Sequence, residues 1–183
     1  MQEKLYLAGP EVFLPNATDH AEVQRQLCRK YGFVPLHPMD NNLDLGNRDM
    51  ATAMRIYRGD IGQIHGCDII VANCNGFRGV CMDDGTAYEL GYGNGLQKPS
   101  YGYIRELMPL VARTVRDYPC KPFKDDIYID NDGYLNIDDF GTSINLMMQC
   151  GMQFRGGRLI EGDFETCLKV LRADLDAGAL KLF

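Results

Sequence analysis

The stretch CDIIVANC (67–74) decides the fold class of this chain. It is apolar and β-branched, which is typical of a strand buried on both faces of a parallel sheet. Three other apolar runs lie before and after it, namely KLYLAG (4–9), FVPL (33–36) and SYGYI (100–104). Helical patterns separate the runs. This alternation predicts an α/β fold, a flavodoxin-like or Rossmann-like doubly wound parallel sheet of about five strands with helices on both faces.

Three helices are predicted from caps and from the spacing of apolar residues. The first extends from an N-cap at Asp19 to Tyr31 and ends before Gly32. The second, at 48–65, is predicted to be amphipathic, because its apolar residues recur at spacings of three and four. These residues are Met50, Met54, Tyr57, Ile61 and Ile64. The last helix, around 163–176, has an apolar face of Phe164, Cys167, Leu168 and Leu171.

Length and charge narrow the class of protein. A chain of 183 residues that is 45% hydrophobic is expected to form a single domain over 1–183. The net charge of -6 and the lack of a basic cluster disfavour a nucleic-acid partner and favour small molecules. The N-terminal sequence lacks signal-peptide features, and no run approaches the roughly 20 apolar residues of a membrane span. We therefore expect a cytoplasmic protein with no membrane partner.

Neither the cysteines nor the acidic segment predicts a metal site. The seven cysteines form no CxxC pair, and only His65 lies near the regularly spaced Cys67, Cys74 and Cys81. The segment 117–140 contains DNDGYLNIDD, which superficially resembles a calcium loop. It lacks the first carboxylate and the final glutamate of such loops, so a solvated loop is the expected structure. We expect free thiols and neither a metal nor another cofactor.

The sequence DDGTAYELGYG (83–93) contains the strongest candidate for chemistry. If Glu89 lies in the first turn of a helix that starts near Gly85, the helix macrodipole should keep it ionised. Asp83 would share the site, and crowded carboxylates force one group toward its protonated form. One charged and one protonated carboxyl is the arrangement of a retaining glycoside-cleaving enzyme. The alternative is that Glu89 only stabilises the start of its helix.

Glycines surround this candidate nucleophile. Each glycine inside a helix costs roughly 1 kcal/mol relative to alanine, so Gly91, Gly93 and Gly95 are predicted to let the helix approach the sheet closely. Gly85 is predicted to adopt an unusual backbone angle. Ligands of such sheets bind beyond the carboxyl ends of the strands. The segments at the carboxyl ends of the first three predicted strands should therefore line the site. Their candidate residues are Tyr6, Glu11, Asp40, Asp83 and Glu89.

Four ordered blocks resemble the nucleoside 2-deoxyribosyltransferases over nearly the whole chain. They are YLAGPEVF (6–13), RGDIGQIHGCDIIVAN (58–73), FRGVCMDDGTAYELGYGNGLQKP (77–99) and SINLMM (143–148). The resemblance implies a pentosyltransferase in which Glu89 attacks C1′ of a 2′-deoxynucleoside while the base departs. A second base then attacks the deoxyribosyl-enzyme, so the configuration at C1′ is retained.

The resemblance also assigns roles to other residues. Asp60 and Asp83 would pass a proton to the leaving base and hold the sugar, and Tyr6 would position Glu89. Asn145 would bind the 5′-hydroxyl of the sugar held in the site of a neighbouring subunit, and Met147 would close that sugar pocket. This arrangement requires at least a dimer. The further substrate-binding candidates are Gly9, Phe13, Asp40 and Gly85, of which Phe13 and Asp40 would touch the base. The sequence GTAYE (85–89) resembles that of family members that prefer purines, which favours purine substrates.

Two other functions compete with base exchange. A deoxynucleoside 5′-monophosphate N-glycosidase would use a similar glutamate but pass the sugar to water, and it would need a phosphate pocket. Asp83 before the loop glycine would repel a phosphate there. A non-catalytic nucleotide-binding module would need a glycine-rich loop such as GxGxxG after the first strand. The sequence AGPEVFLP (8–15) offers one glycine only.

Overall fold

A computed structural model describes residues 2–41 and 46–180 of the chain. The strands are β1 (Lys4–Ala8), β2 (Val34–Leu36), β3 (Ile69–Asn73), β4 (Ser100–Ile104), β5 (Cys120–Lys124), β6 (Ile127–Asp130), β7 (Leu135–Asn136) and β8 (Leu159–Glu161). The helices are α1 (Ala17–Lys30), α2 (Met50–Gly66), α3 (Asp84–Gly95), α4 (Leu110–Asp117), α5 (Leu146–Phe154) and α6 (Phe164–Asp176). Short 3-10 turns follow β1 and β2, at Pro10–Phe13 and Pro38–Asn41.

The main sheet is parallel and has the strand order β2-β1-β3-β4-β8. β3 lies at its centre, between β1 and β4, and four of its five residues are buried. An apolar β-branched strand fits this place because helices cover the sheet on both faces. The predicted five-stranded α/β fold is confirmed, although β8, a three-residue strand, was not predicted.

The alternation of side chains along β1 separates the two layers of the core. Leu5 and Leu7 point to the face that α1 and α6 cover, whereas Tyr6 and Ala8 point to the face that α2, α3 and α5 cover. Because successive strand residues face opposite sides, Tyr6 is directed toward α3. The fold thereby places the tyrosine beside the helix that carries the candidate nucleophile.

Two predicted helices differ from the structure in their details. α1 begins at Ala17, with Asn16 instead of Asp19 as its N-cap, since the Asn16 carbonyl already accepts the His20 N–H. Gly32 follows its end with φ of 81°, as a C-terminal glycine should. α2 begins after Asp49, whose carboxylate accepts the Thr52 N–H at 2.8 Å. α6 and its buried apolar face are as predicted.

The apolar residues of α2 are less buried than their spacing suggested. Met50 is 78% exposed, and Met54 and Tyr57 are 41% and 45% exposed. Ile61 and Ile64 are the members of the series that pack against the sheet. Spacing identifies an apolar face but not what covers it, and in a single chain the N-terminal half of this face is open. No helix within 2–41 and 46–180 is long and apolar enough to cross a membrane.

The segment 117–140 is structured, which contradicts the expected solvated loop. Helix α4 leads into an antiparallel sheet of β5, β6 and β7. The Asp130 carboxylate accepts the N–H groups of Asp132 and Tyr134 at 3.0 and 2.9 Å, so the acidic sequence forms the turn of a hairpin. The strands are short and largely exposed, so their sequence lacks the hydrophobic alternation on which a prediction depends.

Candidate active site

A hydrogen bond between Tyr6 and Glu89 lies at the centre of the candidate site. The Tyr6 hydroxyl donates to Glu89 Oε1 at 2.5 Å, and the tyrosine side chain is fully buried. Burial and the nearby carboxylates of Glu89 and Asp60 raise the Tyr6 pKa, so the phenol stays neutral. Tyr6 is thus a fixed donor that orients one oxygen of Glu89 and leaves Oε2 available.

The Glu89 carboxyl is less acidic than the sequence suggested. It lies in the second turn of α3, beyond the first-turn position that was predicted. Burial raises its pKa to about 7, and the charges of Asp60 and Asp83 act in the same direction, whereas the Tyr6 hydrogen bond opposes them. The prediction that the helix dipole would keep Glu89 ionised is therefore wrong. Near neutral pH the group exchanges readily between its charged and neutral forms.

Asp83 is the N-cap of α3. Its Oδ2 accepts the Thr86 N–H at 2.8 Å and the Thr86 hydroxyl at 2.9 Å, and the residue is buried. Gly85 has ordinary helical backbone geometry in the first turn of α3, so the predicted unusual backbone angle is absent. A side chain at Gly85 would put its Cβ 3.1 Å from Asp83 Oδ2. Gly85 therefore leaves room beside the Asp83 carboxylate.

Asp60 reaches the same site from α2. Burial raises its pKa to about 6, against the effect of a hydrogen bond from Asn41 Nδ2 at 2.9 Å. Gln63 in turn donates to Asn41 Oδ1 at 2.9 Å. Any side chain at Gly59 would collide with the Asn41 amide. Sequence reasoning missed Asn41 and Gln63, since a polar residue in a loop or on a helix gives no signal without knowledge of its partner.

The loop after β1 is fixed by Glu11. Its Oε1 accepts the Tyr103 hydroxyl at 2.6 Å and the Asn73 side-chain amide at 2.8 Å, which ties together the ends of β1, β3 and β4. A Cβ at Gly9 would overlap the Glu11 carboxylate. Gly9, a predicted substrate-binding residue, is therefore a point of close approach at the edge of the sheet where ligands of such folds bind.

An aromatic surface stands beside this loop. Phe13 is 60% exposed and stacks on Phe77 with ring centroids 5.5 Å apart. The Arg78 guanidinium lies 4.7 Å from the Phe77 ring centroid and 5.7 Å from that of Phe13. Sequence patterns indicated Phe13 as a site residue but not Phe77 or Arg78, because Phe13 lies far from both along the chain. A flat stack of this kind, in which Phe13 is exposed and Phe77 partly buried, suits a heteroaromatic base.

Three predicted substrate-binding residues lie outside the Tyr6–Glu89 centre. Asp40 accepts hydrogen bonds from Arg25, the shorter at 2.6 Å, and from the His37 N–H at 2.9 Å, so both its oxygens are engaged. Asn145 is the exposed N-cap of α5 and accepts the Met147 N–H at 3.0 Å. Met147 is 73% exposed. Among the described residues, no hydrogen bond joins Asn145 to Tyr6 or Glu89.

Comparison with known proteins identifies the family. A nucleoside 2-deoxyribosyltransferase sequence profile matches residues 5–147. The 2-desoxiribosyltransferase of Leishmania mexicana has a similar structure, with a TM-score of 0.70 and 27% identity, over 93% of this chain and 97% of that one. An uncharacterised protein of Schizosaccharomyces pombe is 28% identical over 94% of this chain and 90% of its own length. A conserved protein of Enterococcus faecalis shares the fold, with a TM-score of 0.58 and 16% identity, over 97% of this chain and 99% of its own.

The chain therefore belongs to the nucleoside 2-deoxyribosyltransferase family. This is a family of enzymes, and its fold is that of the present chain.

Proposed function

We propose that this protein moves 2-deoxyribose from a 2′-deoxynucleoside to another nucleobase through a covalent intermediate on Glu89. The Tyr6–Glu89 hydrogen bond carries the proposal, because it holds a partly buried carboxyl in one orientation by a donor that cannot itself ionise. A carboxylate aligned in this way is suited to nucleophilic attack.

In the first half of the reaction, Glu89 Oε2 forms a bond to C1′ as the bond from C1′ to the base nitrogen breaks. The electron pair of the broken bond leaves with the base, which must receive a proton to depart as a neutral molecule. The developing positive charge on the sugar lies beside the carboxylates of Glu89 and Asp83, which stabilise it, and Asp60 becomes a third carboxylate as it gives its proton to the base. The product is a deoxyribosyl ester of Glu89.

Asp60 is the proposed proton donor. Burial raises its pKa to about 6, so a useful fraction holds a proton near neutral pH. Asp83 is already engaged in capping α3 through Oδ2, which suits it better to holding the sugar through its other oxygen. In the second half of the reaction an acceptor base attacks C1′, its proton returns to Asp60, and Glu89 leaves with the bonding electrons.

The aromatic surface of Phe13 and Phe77 is the proposed base site, with Gly9, Gly85 and Asp40 as further contacts. A stack of two rings tolerates different bases because every base has a π-face. Purine donors remain the favoured class. Recycling of deoxynucleosides in the cytoplasm is the cellular role that we expect.

A neighbouring subunit is proposed to complete the sugar site. Asn145 and Met147 project from the chain without contacting Glu89, as residues that act in an adjacent subunit would. Helices α2, α3 and α5 lie side by side and expose large apolar residues in the single chain. These residues are Met50, Met54, Tyr57, Tyr88, Met147 and Phe154. An exposed apolar surface of this kind marks an interaction site, and we assign it to a homo-oligomer of at least two chains.

The experiment that tests this function follows the purified protein with deoxyinosine, with and without adenine, by chromatography. Deoxyadenosine that forms only with adenine, together with hypoxanthine, would establish base exchange. Release of hypoxanthine and free deoxyribose at a rate indifferent to adenine would make the protein an N-glycosidase. Glu89→Ala separates both from a binding module, because it abolishes turnover in an enzyme and leaves ligand binding by a module largely intact.

A further inference from the structure

Arg113 on α4 is a buried cation that forms no direct ion pair with any carboxylate in the described part of the chain. The residue is 8% exposed, and its Nη2 donates to the carbonyl oxygens of Val80 at 3.2 Å and Ser143 at 2.8 Å. Its buried Nε–H has no acceptor among the described residues, and Arg113 forms no ion pair with any described carboxylate. Burial lowers its pKa. Glu106 and Asp117 lie near enough to favour its charged form, but both are bonded to Arg116. Because buried charges are normally paired directly, Arg113 is only partly compensated.

Arg113 lines a cavity of about 420 Å³ beyond the carboxyl ends of β3 and β4. The lining residues that matter for charge are Arg105, Glu106, Arg113, Arg116 and Asp117. Gly76, Gly79 and Val80 also line the cavity. The volume exceeds that of a phosphate group, and the rim is open enough for a solvent ion to enter.

The charges of this cavity leave an excess of positive charge. Glu106 and Asp117 are both paired with Arg116, at 2.8 and 2.7 Å. Arg105 has an exposed side chain that makes no ion pair with a described carboxylate. Three arginines against two carboxylates give a local charge of +1 in a chain whose net charge is -6. Arg105 and Arg113, which form no direct ion pair with these carboxylates, are the cations that an incoming anion would meet.

We propose that this cavity binds a phosphate oxyanion, either inorganic phosphate or the phosphate of a phosphomonoester. A guanidinium donates in a fixed fork that matches the oxygens of phosphate, and charge-assisted hydrogen bonds are the strong ones. The anion accepts from Arg105 and from the part of the Arg113 guanidinium that lines the cavity, while Arg113 keeps its bonds to Val80 and Ser143.

The position of Arg113 connects this site to the candidate active site. The Val80 carbonyl belongs to the loop that leads to Asp83, and the Ser143 carbonyl to the segment that leads to Asn145. One guanidinium therefore holds together two segments that carry proposed catalytic and sugar-binding residues. An anion that draws on the same guanidinium acts on both, whereas the binding itself does not depend on the proposed reaction.

Calorimetric titration with inorganic phosphate and, separately, with glycerol 3-phosphate tests the proposal. The buffer holds ionic strength constant with chloride, and glycerol 3-phosphate carries no base that could occupy the nucleoside site. We expect saturable binding of one anion per chain and an increase in melting temperature with its concentration. Tighter binding of glycerol 3-phosphate would identify a phosphomonoester as the ligand, and equal binding would identify phosphate itself.

Phosphate binding by variants of the cavity arginines tests whether the anion binds in this cavity. Arg105→Gln should weaken binding about tenfold, the effect of losing a charge-assisted contact, and it changes an exposed side chain that folding does not need. Arg113→Lys keeps the charge but loses the fork, and should weaken binding by a similar factor. Arg29→Gln is the matched control, since Arg29 is an exposed arginine of α1 that pairs with Glu22. Absence of saturable binding, or equal binding by wild type and Arg105→Gln, would overturn the proposal.

Discussion

Glu89 is held where its carboxyl resists ionisation. A helix macrodipole contributes about 0.3–1 kcal/mol, and only within the first turn, whereas Glu89 lies in the second turn of α3. Burial raises its pKa from 4.5 to about 7, which corresponds to roughly 3 kcal/mol. Burial therefore outweighs the helix terminus. A carboxylate that is costly to ionise gains more by forming an ester with the sugar than one that water stabilises fully.

The dependence of kcat/KM on pH should be bell-shaped, with its maximum between about 6 and 7. Glu89 must lose its proton before it attacks, so the rate rises with pH, and Asp60 must keep its proton to protonate the base, so the rate falls again. The two apparent pKa values belong to the coupled pair. Initial rates of base release across this range test the prediction. Asp60→Asn should remove the alkaline limb, and a variant profile identical to wild type would refute the role of Asp60.

Glu89→Gln should stabilise the protein above neutral pH. The folded chain raises the Glu89 pKa, so the folded state binds its proton more tightly than the unfolded state, and stability falls as pH rises from 4.5 to about 7. Glutamine keeps an acceptor for Tyr6 and avoids this loss, which is at most about 3 kcal/mol.

Urea unfolding at about pH 4.5 and pH 8 measures the effect. The free energy of unfolding of Glu89→Gln should exceed that of wild type at the higher pH and nearly equal it at the lower one. Glu161→Gln, at an exposed position of β8, is the control and should change little at either pH. A Glu89→Gln variant that is no more stable than wild type at the higher pH would contradict the assigned pKa.

Among the helices, α3 carries both the proposed nucleophile and a close packing contact with the sheet. Asp83 caps its start, Glu89 lies one and a half turns further on, and Gly93 lies against β3, where a Cβ would overlap Ile70. The predicted close approach is confirmed at Gly93, but Gly91 and Gly95 face open space. One glycine of the three therefore sets the distance between helix and sheet.

Gly93→Ala should destabilise the protein by about 1–3 kcal/mol, because the added methyl group forces Ile70 or α3 to move. It should also reduce activity, since α3 carries Glu89. Gly91→Ala is the matched change in the same helix, and the higher helix propensity of alanine should leave its stability equal to wild type or up to about 1 kcal/mol higher. Thermal and urea unfolding compare the two. Equal effects of both substitutions would contradict the packing that we assign to Gly93.

Sequence patterns predicted the elements whose local sequence agrees with their burial in the fold. β3 is largely apolar and β-branched, so its central position in the sheet followed from composition, and the mostly apolar β4 was predicted as a further strand. The spacing of apolar residues predicted helix α2 but not the exposure of Met50, because spacing does not show whether another part of the protein covers an apolar face. The hairpins of 120–136 were missed since they bury little. The Glu89 pKa was predicted in the wrong direction, because burial is a property of the assembled fold.

At the scale of the whole molecule, the exposed apolar residues of α2, α3 and α5 predict an assembly whose loss inactivates the enzyme. Phe154→Asp should shift the protein to monomers, because Phe154 is 78% exposed on α5 and an aspartate would have to be buried there. Activity should fall with assembly, since Asn145 would then reach no neighbouring site. Sedimentation velocity and base-exchange rates measure the two effects on the same samples.

Phe123→Asp is the control for this prediction. Phe123 is 52% exposed on β5, on the antiparallel sheet and apart from α2, α3 and α5. Phe123→Asp should leave both assembly and activity unchanged. A wild-type protein that is monomeric and fully active would show that Asn145 and Met147 do not act across subunits.

The most direct test of the account is the rate of deoxyadenosine formation from deoxyinosine and adenine, measured for wild type and for Glu89→Gln. The substitution removes the proposed nucleophile and keeps the shape of the side chain and its bond to Tyr6. We predict that exchange falls by about a thousandfold or more, in a protein that is folded and at least as stable as wild type. Exchange by Glu89→Gln at a rate near that of wild type would contradict covalent catalysis by Glu89.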